Sequence, residues 1–517
     1  MAHESKSYAE VPYLGLIHFQ SHVDTLATIA TLFGMDVAPP TRCRVLEIGC
    51  ADGSNLITMA YHLPESTFIG IDGSAPQVER GQGIIDDLGL ENITLRAQDL
   101  REVGAEIGQF DYIIAHGIFS WIAADARSAL LKLCRDRLTP EGVAYISYNT
   151  YPGWHYYEQL RGMMRFHSRG MSSTEEEIQQ ARAIVRFVGK AVADVDTPRG
   201  DFFKKVMPDI MRMSDTYIYH EYLEPNNQPM YFYEFIGQAM QHDMQYVGET
   251  MFHAMISSNY PKDVAATLDE ISHNILELEQ YMDFLRNRRF RCTLLCHKET
   301  TLKRGVELAP LQNMKVAFWF DPADPAHDPR LEGPLSFINP NDDETEVVVN
   351  LPLHKTALLH LAAVWPAAIP FKTLLDHCCE TLGITPTDEN ATELAELMMK
   401  LFMQSFTELH TFQPALINHV EERPRATRLA RYQARNCRVL SSQKHQMIRP
   451  EDPQTREVVA RLDGEHTVAD LVAALLPLVD ENTLAQLDDP EAALEANIRL
   501  ILSKMAAEGV LVPEGAE

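Results

Sequence analysis

No CxxC pair occurs among the eight cysteines of this 517-residue chain, which are Cys43, Cys50, Cys134, Cys292, Cys296, Cys378, Cys379 and Cys437. The commonest zinc and redox signatures are therefore missing, and a disulfide framework is not expected in a reducing compartment. Cys292, Cys296 and His297 stand close together in RFRCTLLCH, but that stretch reads as a buried strand, so no metal site is expected. No apolar run approaches the ~20 residues of a membrane span, and MAHESKSYAEVPY lacks the apolar core of a secretion signal. A cytoplasmic location without membrane insertion is the expectation. Basic residues are scarce as well: 45 Lys plus Arg face 73 Asp plus Glu, a formal net charge of −28. Such a surface repels phosphate backbones, so nucleic acid is not expected as a main partner.

What is present is an ordinary globular composition, 45% hydrophobic and 23% charged, at a length that calls for two to four domains. From Arg42 to Asn149 strands and helices alternate at the βαβ rhythm. CRVLEIG, STFIGIDG, ENITLRAQDL, QFDYIIAHG and EGVAYISYN read as five strands, with Pro140-Glu141-Gly142 making the turn before the last. Their unbroken apolar character predicts a parallel, doubly wound α/β sheet covered on both faces. After Gly153 helical patterns dominate to about Arg289; MSSTEEEIQQARAIVRFVGKAVA carries a Ser/Thr cap, Glu175 to Glu177 in its first turn, and Ile178, Ala181, Val185, Val188 and Val192 along one side. RFRCTLLCH and MKVAFWFDP then read as strands that complete the sheet as its antiparallel edge. PLSFINPNDDETEVVVNL reads as a hairpin beside three helical segments. The expected division is a helical cap over 1–41, a Rossmann-like domain over 42–154 plus about 289–325, a helical insertion over 155–288, a winged-helix-like domain over 326–420, an Arg-rich linker over 421–449 and a small helical domain over 450–517.

The stretch VLEIGCADGSNL decides the ligand. A dinucleotide site wants G-x-G-x-x-G, but after Gly49 the second position is Ala51 and the third Ser54, so a nicotinamide oxidoreductase fits poorly. The spacing Glu47-x-Gly49-x-Ala51-x-Gly53 instead suits S-adenosyl-L-methionine (AdoMet). Gly49 and Gly53 let backbone approach the ligand closely, small Ala51 fits between them, and a Glu47 carboxylate suits a cationic amino-acid end. Asp72 ends the second strand where a carboxylate accepts both ribose hydroxyls, with Gly73 beside it. Asp99, flanked by Gln98 and Leu100, ends the third and is expected at the adenine amino group. Asn55, opening the helix, and His116, Gly117 and Trp121 after strand four complete the expected cofactor set, with Tyr13 as a lid.

The segments YAEVPYLGLIHFQSHVDTLATIATLFGM, AHGIFSWI, SYNTYPGWH, YHEYLEPNNQPMYFYEF and FRCTLLCH carry a resemblance over nearly the whole length. The chain resembles the class I (Rossmann-like) AdoMet-dependent methyltransferases of bacteria that carry a methyltransferase regulatory domain, a group that includes protein-lysine methyltransferases acting on outer-membrane proteins. Val23, where a proline is typical, and Ala51, in place of the middle glycine, are small departures. The resemblance implies a seven-stranded AdoMet domain, a helical middle region, C-terminal modules and a homodimer.

Methyl acceptors enter such a fold above the ends of strands four and five. His116 there is a candidate general base or pocket residue, and Tyr148 and Asn149 are candidates to accept hydrogen bonds from an incoming amine. From the insertion, Tyr219, His220 and Glu221 are candidates to close over the site, with Glu221 drawing in a lysine head. The leading expectation is a protein-lysine N-methyltransferase whose partner is a protein with accessible lysines. A small-molecule O- or N-methyltransferase is the alternative, and a non-catalytic AdoMet-sensing protein the third reading.

Overall fold

The computed structural model describes residues 15–192, 195–305, 307–450, 452–479 and 488–515. Its centre is a seven-stranded sheet built from β1 (Arg44–Ile48), β2 (Thr67–Asp72), β3 (Ile93–Ala97), β4 (Phe110–Ala115), β5 (Leu138–Asn149), β6 (Met244–Glu249) and β7 (Phe290–His297). The order is β3-β2-β1-β4-β5-β7-β6. The five strands read from the βαβ rhythm pair in parallel, and β7 runs antiparallel to both β5 and β6. Helices α1 (Val23–Leu32), α2 (Ser54–His62), α3 (Ala75–Leu88) and α4 (Ala124–Arg137) accompany it. Val45, Leu46, Ile113, Ile114, Ala144 and Ile146 are fully buried, as strands covered on both faces require. Strand order reverses between β2-β1 and β4-β5, so a crevice opens above the carboxyl ends of β1 and β4.

Two strand assignments differ from the sequence expectation. The sheet takes its edge from Met244–Glu249, inside the stretch that read as helical, while Lys315–Phe318 pairs with Ile369–Pro370 and Thr407–His410 in a separate three-stranded sheet. A six-residue strand directly after the amphipathic helix Phe232–Gln241 carries no periodicity of its own. Pro140-Glu141-Gly142 does not precede β5 but is carried within it, where the register against β4 shifts.

The inserted helices α5 (Trp154–Ser168), α6 (Thr174–Val192) and α7 (Pro198–Arg212) share a core of their own, in which Ile178, Ala181 and Val185 meet Leu160, Met164 and Phe203. The expected hairpin forms from Leu335–Asn339 and Asp342–Val349. The three helical patterns beside it fold as Pro352–Val364, Phe371–Leu382 and Asp388–Met403. The last described part, from Ala426 to Val512, buries a third core. The expected Arg-rich linker contains a helix, Arg428–Asn436, and Arg431 and Arg435 donate to carbonyls of Ala426 and Ala460. No described helix is long and apolar enough to cross a membrane.

A buried ionic cluster fastens the end of the insertion beneath the sheet edge. Arg291 of β7 is wholly buried and donates to Glu249, Glu279 and Asp283 at 2.8–2.9 Å. Arg288 adds a second guanidinium 2.8 Å from Glu249. Two cations thus face three carboxylates, and burial pushes Glu279 up to about 7 against the pull of Arg291.

Candidate active site

The turn after β1 is shaped by contacts that only small residues permit. Gly49 sits at φ +74°, and a β-carbon there would lie 2.4 Å from Ile118 Cγ2. Ala51 adopts φ 51° and Gly53 φ 72° before α2 begins. Asp72, at the end of β2, accepts from Ala51 N (2.9 Å) and Ser74 N (2.8 Å), tying the first turn to the second strand. A carboxylate has about four acceptor positions, so two remain for a ligand. Burial pushes Asp72 upward while these backbone donors pull it down. Gly73 and Gly117 border open space.

The segment before α1 lies directly over this turn. Gly15 packs so closely that a β-carbon would come within 2.1 Å of Asp52 Oδ1. His18 N donates to Asn55 Oδ1 at 3.0 Å, and the His18 ring stacks on His116 with centroids 3.6 Å apart. Asn55 Nδ2 donates to Glu47 Oε1 at 2.8 Å. Glu47 is buried, which pushes it up to about 8, and its Oε2 has no hydrogen-bond partner among the described residues. A buried, one-sided carboxyl beside an open crevice fits a cationic group, the chemistry expected of the AdoMet amino-acid end. The Asn55 amide itself is occupied by protein groups, so it acts on a ligand through Glu47.

His116 directly follows β4, with Nδ1 2.7 Å from the Tyr145 hydroxyl and its ring edge-on to Phe290 at 5.9 Å. Burial holds its pKa well below the ordinary value, and His18 adds to this; the ring is a neutral acceptor or donor at physiological pH. Gly117 N donates to Ser147 Oγ (2.7 Å). Trp121 lies under the Arg161 guanidinium, 5.9 Å from its ring centre. Gln98 N donates to Asp72 O, and its side chain to Glu102 O. The Asp99 carboxylate is held below its usual range chiefly by Arg101, 2.6 Å away, and caps the turn at Leu100. It is thus already paired where the sequence reading left it for adenine, although spare acceptor positions remain.

Of the acceptor-side residues, Tyr148 does not reach the crevice. It is 1% exposed, stacks on Phe235 at 4.1 Å and bonds Thr293 Oγ1. Alternation along β5 turns Ser147 toward Gly117 and Tyr148 to the opposite face. Asn149 Nδ2 donates to Asn227 Oδ1 of the insertion (3.1 Å). Tyr219, His220 and Glu221 form a π-helical turn, Tyr219–Leu223, with His220 buried. Glu221 is pushed up to about 7 by burial, against the pull of Arg289 and Arg161. Arg289 donates to the Tyr157 hydroxyl and immediately precedes Phe290. Tyr13 lies outside the described residues. His18, Tyr145, Ser147, Tyr157 and Phe290 join the site without having been singled out in the sequence. Only the paired histidines of LIHFQSH offered a signal.

Comparison with known proteins agrees with this geometry. Residues 46–144 match a methyltransferase domain, residues 214–297 a methyltransferase regulatory domain, and residues 422–510 a PKMT C-terminal winged helix domain. The PKMT winged helix thus takes in the stretch expected as an Arg-rich linker and the small C-terminal domain, and the Arg-rich stretch supplies its helix Arg428–Asn436. An uncharacterized protein of Rickettsia prowazekii is 32% identical over 431 residues, 83% of this chain and 78% of the relative. The structure of PKMT2 from Rickettsia typhi in complex with AdoHcy is similar at a TM-score of 0.88 and 28% identity, covering 97% of this chain and all of that one. A second structure of PKMT2 from Rickettsia typhi gives a TM-score of 0.87. With a 3-2-1-4-5-7-6 sheet, a carboxylate at the tips of β1 and β2, and these three domains in order, the chain belongs to the class I AdoMet-dependent methyltransferases that carry a methyltransferase regulatory domain and a PKMT winged helix.

Proposed function

We propose that the chain is a protein-lysine N-methyltransferase acting on bacterial outer-membrane proteins. The observation that carries this reading is the placement of Glu221 in the π-helical turn Tyr219–Leu223, close enough to Arg289 to feel its charge. Arg289 bonds the Tyr157 hydroxyl and precedes Phe290, whose ring meets His116 at 5.9 Å, while burial pushes the Glu221 carboxyl up to about 7. A lysine has an ordinary pKa of ~10.4 and costs roughly 4 kcal/mol to deprotonate at neutral pH. A half-dry aromatic wall disfavours the ammonium, and a carboxylate that titrates near neutrality can attract the head group and accept its proton. The likeness to PKMT2 of Rickettsia typhi supports the same acceptor class.

AdoMet supplies an electrophilic methyl when bound. Asp72 is assigned to its ribose, Glu47 to its cationic end, and Gly49, Ala51, Gly53, Gly73, Gln98, Asp99, Leu100 and Gly117 to the walls of its crevice. His116, neutral and stacked on His18, positions the acceptor side, while Asn149 fixes the insertion over it. Labelled AdoMet with unmodified outer-membrane proteins, followed by peptide mass mapping, tests the proposal. Label on lysine side chains is expected; label confined to small molecules overturns it.

Two further results follow from the titrating acids. Glu221→Gln is expected to lower kcat/KM on the order of 10²-fold. It should also remove the activity rise expected of wild type as pH climbs through about 7, the region to which burial pushes the Glu221 carboxyl; a pH–rate profile reads both. Glu47, holding a proton up to about pH 8 in the free protein, should release it when a cation arrives. Calorimetry near neutral pH in buffers of different ionisation enthalpy then reports proton release, absent in Glu47→Gln. Buffer-independent heats in wild type contradict this.

A further inference from the structure

The cofactor turn is completed by a residue 390 positions away. In the C-terminal winged helix, Leu440–Ser441 pairs with Met447–Ile448, and the tip between them enters the methyltransferase domain. At that tip His445, at φ 56° and 2% exposed, places Nε2 2.8 Å from Asn55 Oδ1. The direction of this bond is fixed by its neighbours. The His18 backbone N–H, which only donates, also points at Asn55 Oδ1 (3.0 Å), so that atom is the amide oxygen. His445 must therefore donate from Nε2, and Asn55 Nδ2 donates to Glu47 Oε1 (2.8 Å) and to Ser21 Oγ (3.0 Å).

The tip is held from other sides as well. Lys444 Nζ lies 3.9 Å over the Trp365 ring and 3.4 Å from Glu408. Gln443 donates to Leu511 O at 2.9 Å, within the winged helix itself. The hairpin is thus braced on the domain between, and His445 at its tip meets both the His22 ring, at 4.9 Å, and the amide that bonds Glu47. We infer that His445 is a positioning residue for AdoMet: the winged helix sets the Asn55 amide, which sets the Glu47 carboxyl, so cofactor binding and docking of the C-terminal module strengthen one another. The coupling is reciprocal by thermodynamic necessity, and it rests on the AdoMet reading of the Gly49–Gly53 turn.

The test compares full-length wild type, His445→Leu and His445→Gln by titration with AdoHcy and by initial rates against AdoMet. Both variants fill the imidazole volume, and only Gln keeps a donor. His445→Leu is expected to bind AdoHcy about tenfold more weakly, as one buried hydrogen bond is worth. Its KM for AdoMet rises in step while kcat stays within about twofold, and His445→Gln recovers most of the affinity. Equal weakening in both variants, or none in His445→Leu, overturns the inference. Hydrogen exchange on wild type needs no substitution: AdoHcy should protect the amides of 440–448, and unchanged exchange there also overturns it. Wild type that fails to bind AdoHcy at all refutes the AdoMet turn instead, which separates the two claims.

Discussion

Replacing Asp72 by alanine is expected to weaken AdoHcy binding on the order of 10²-fold, about 2.7 kcal/mol, without unfolding the chain. The carboxylate accepts from Ala51 N and Ser74 N, so its loss frees the glycine turn and removes both remaining acceptor positions at once. Hydrogen bonds to a charged partner contribute roughly 1.5–3 kcal/mol each. Asp72→Asn keeps one acceptor oxygen and is expected to fall between wild type and alanine. Calorimetric titration of the three proteins measures the order, and equal affinities would remove Asp72 from the site.

The largest effect on stability is expected from Arg291→Met. Methionine fills much of the volume but leaves Glu249, Glu279 and Asp283 buried around Arg288 alone. Removing one member of a buried ionic set costs about 3–5 kcal/mol, which corresponds to a fall of roughly 10 °C in the unfolding temperature of a domain this size. The pH dependence has a definite sign. Glu279 is raised to about 7 in the folded chain from an ordinary 4.5, so the stability it contributes is present below about 4.5 and is lost as pH rises through 7. The deficit of Arg291→Met should shrink toward pH 5, where the stranded acids take up protons, and widen toward pH 8. Melting curves at both ends read this directly. A deficit that grows on acidification would mean that the cluster is not what holds β6 and β7 to the insertion.

The parts of the fold that were legible in the sequence are those whose signal is local. Strands β1 to β5 are apolar runs at regular spacing, and the acids at Glu47 and Asp72 mark strand ends that a parallel sheet must gather on one side. The amphipathic helix Thr174–Val192 was equally readable from Ile178, Ala181 and Val185. Partner choice was not. Lys315–Phe318 reads as a strand and is one, but it pairs with Thr407–His410 across some 90 residues, a separation no local pattern encodes. Tyr148 illustrates the opposite case: two-residue alternation from Ser147 already turns it away from the crevice. His445 lay beyond sequence reasoning altogether, because what makes it part of the site is a hairpin folding back from a different domain. Asp99 follows β3, as its sequence position suggests, but its pairing with Arg101, two residues on, carried no sequence signal.

Co-crystallisation with AdoHcy tests the central claim most directly. The account predicts density over Gly49 to Gly53, ribose hydroxyls on Asp72, the amino-acid end against Glu47, and the sulfur facing a side-chain-wide slot that leads past His116 and Phe290 to Glu221. A ligand seated elsewhere, or a sulfur walled into a chamber closed off from Glu221, would contradict it.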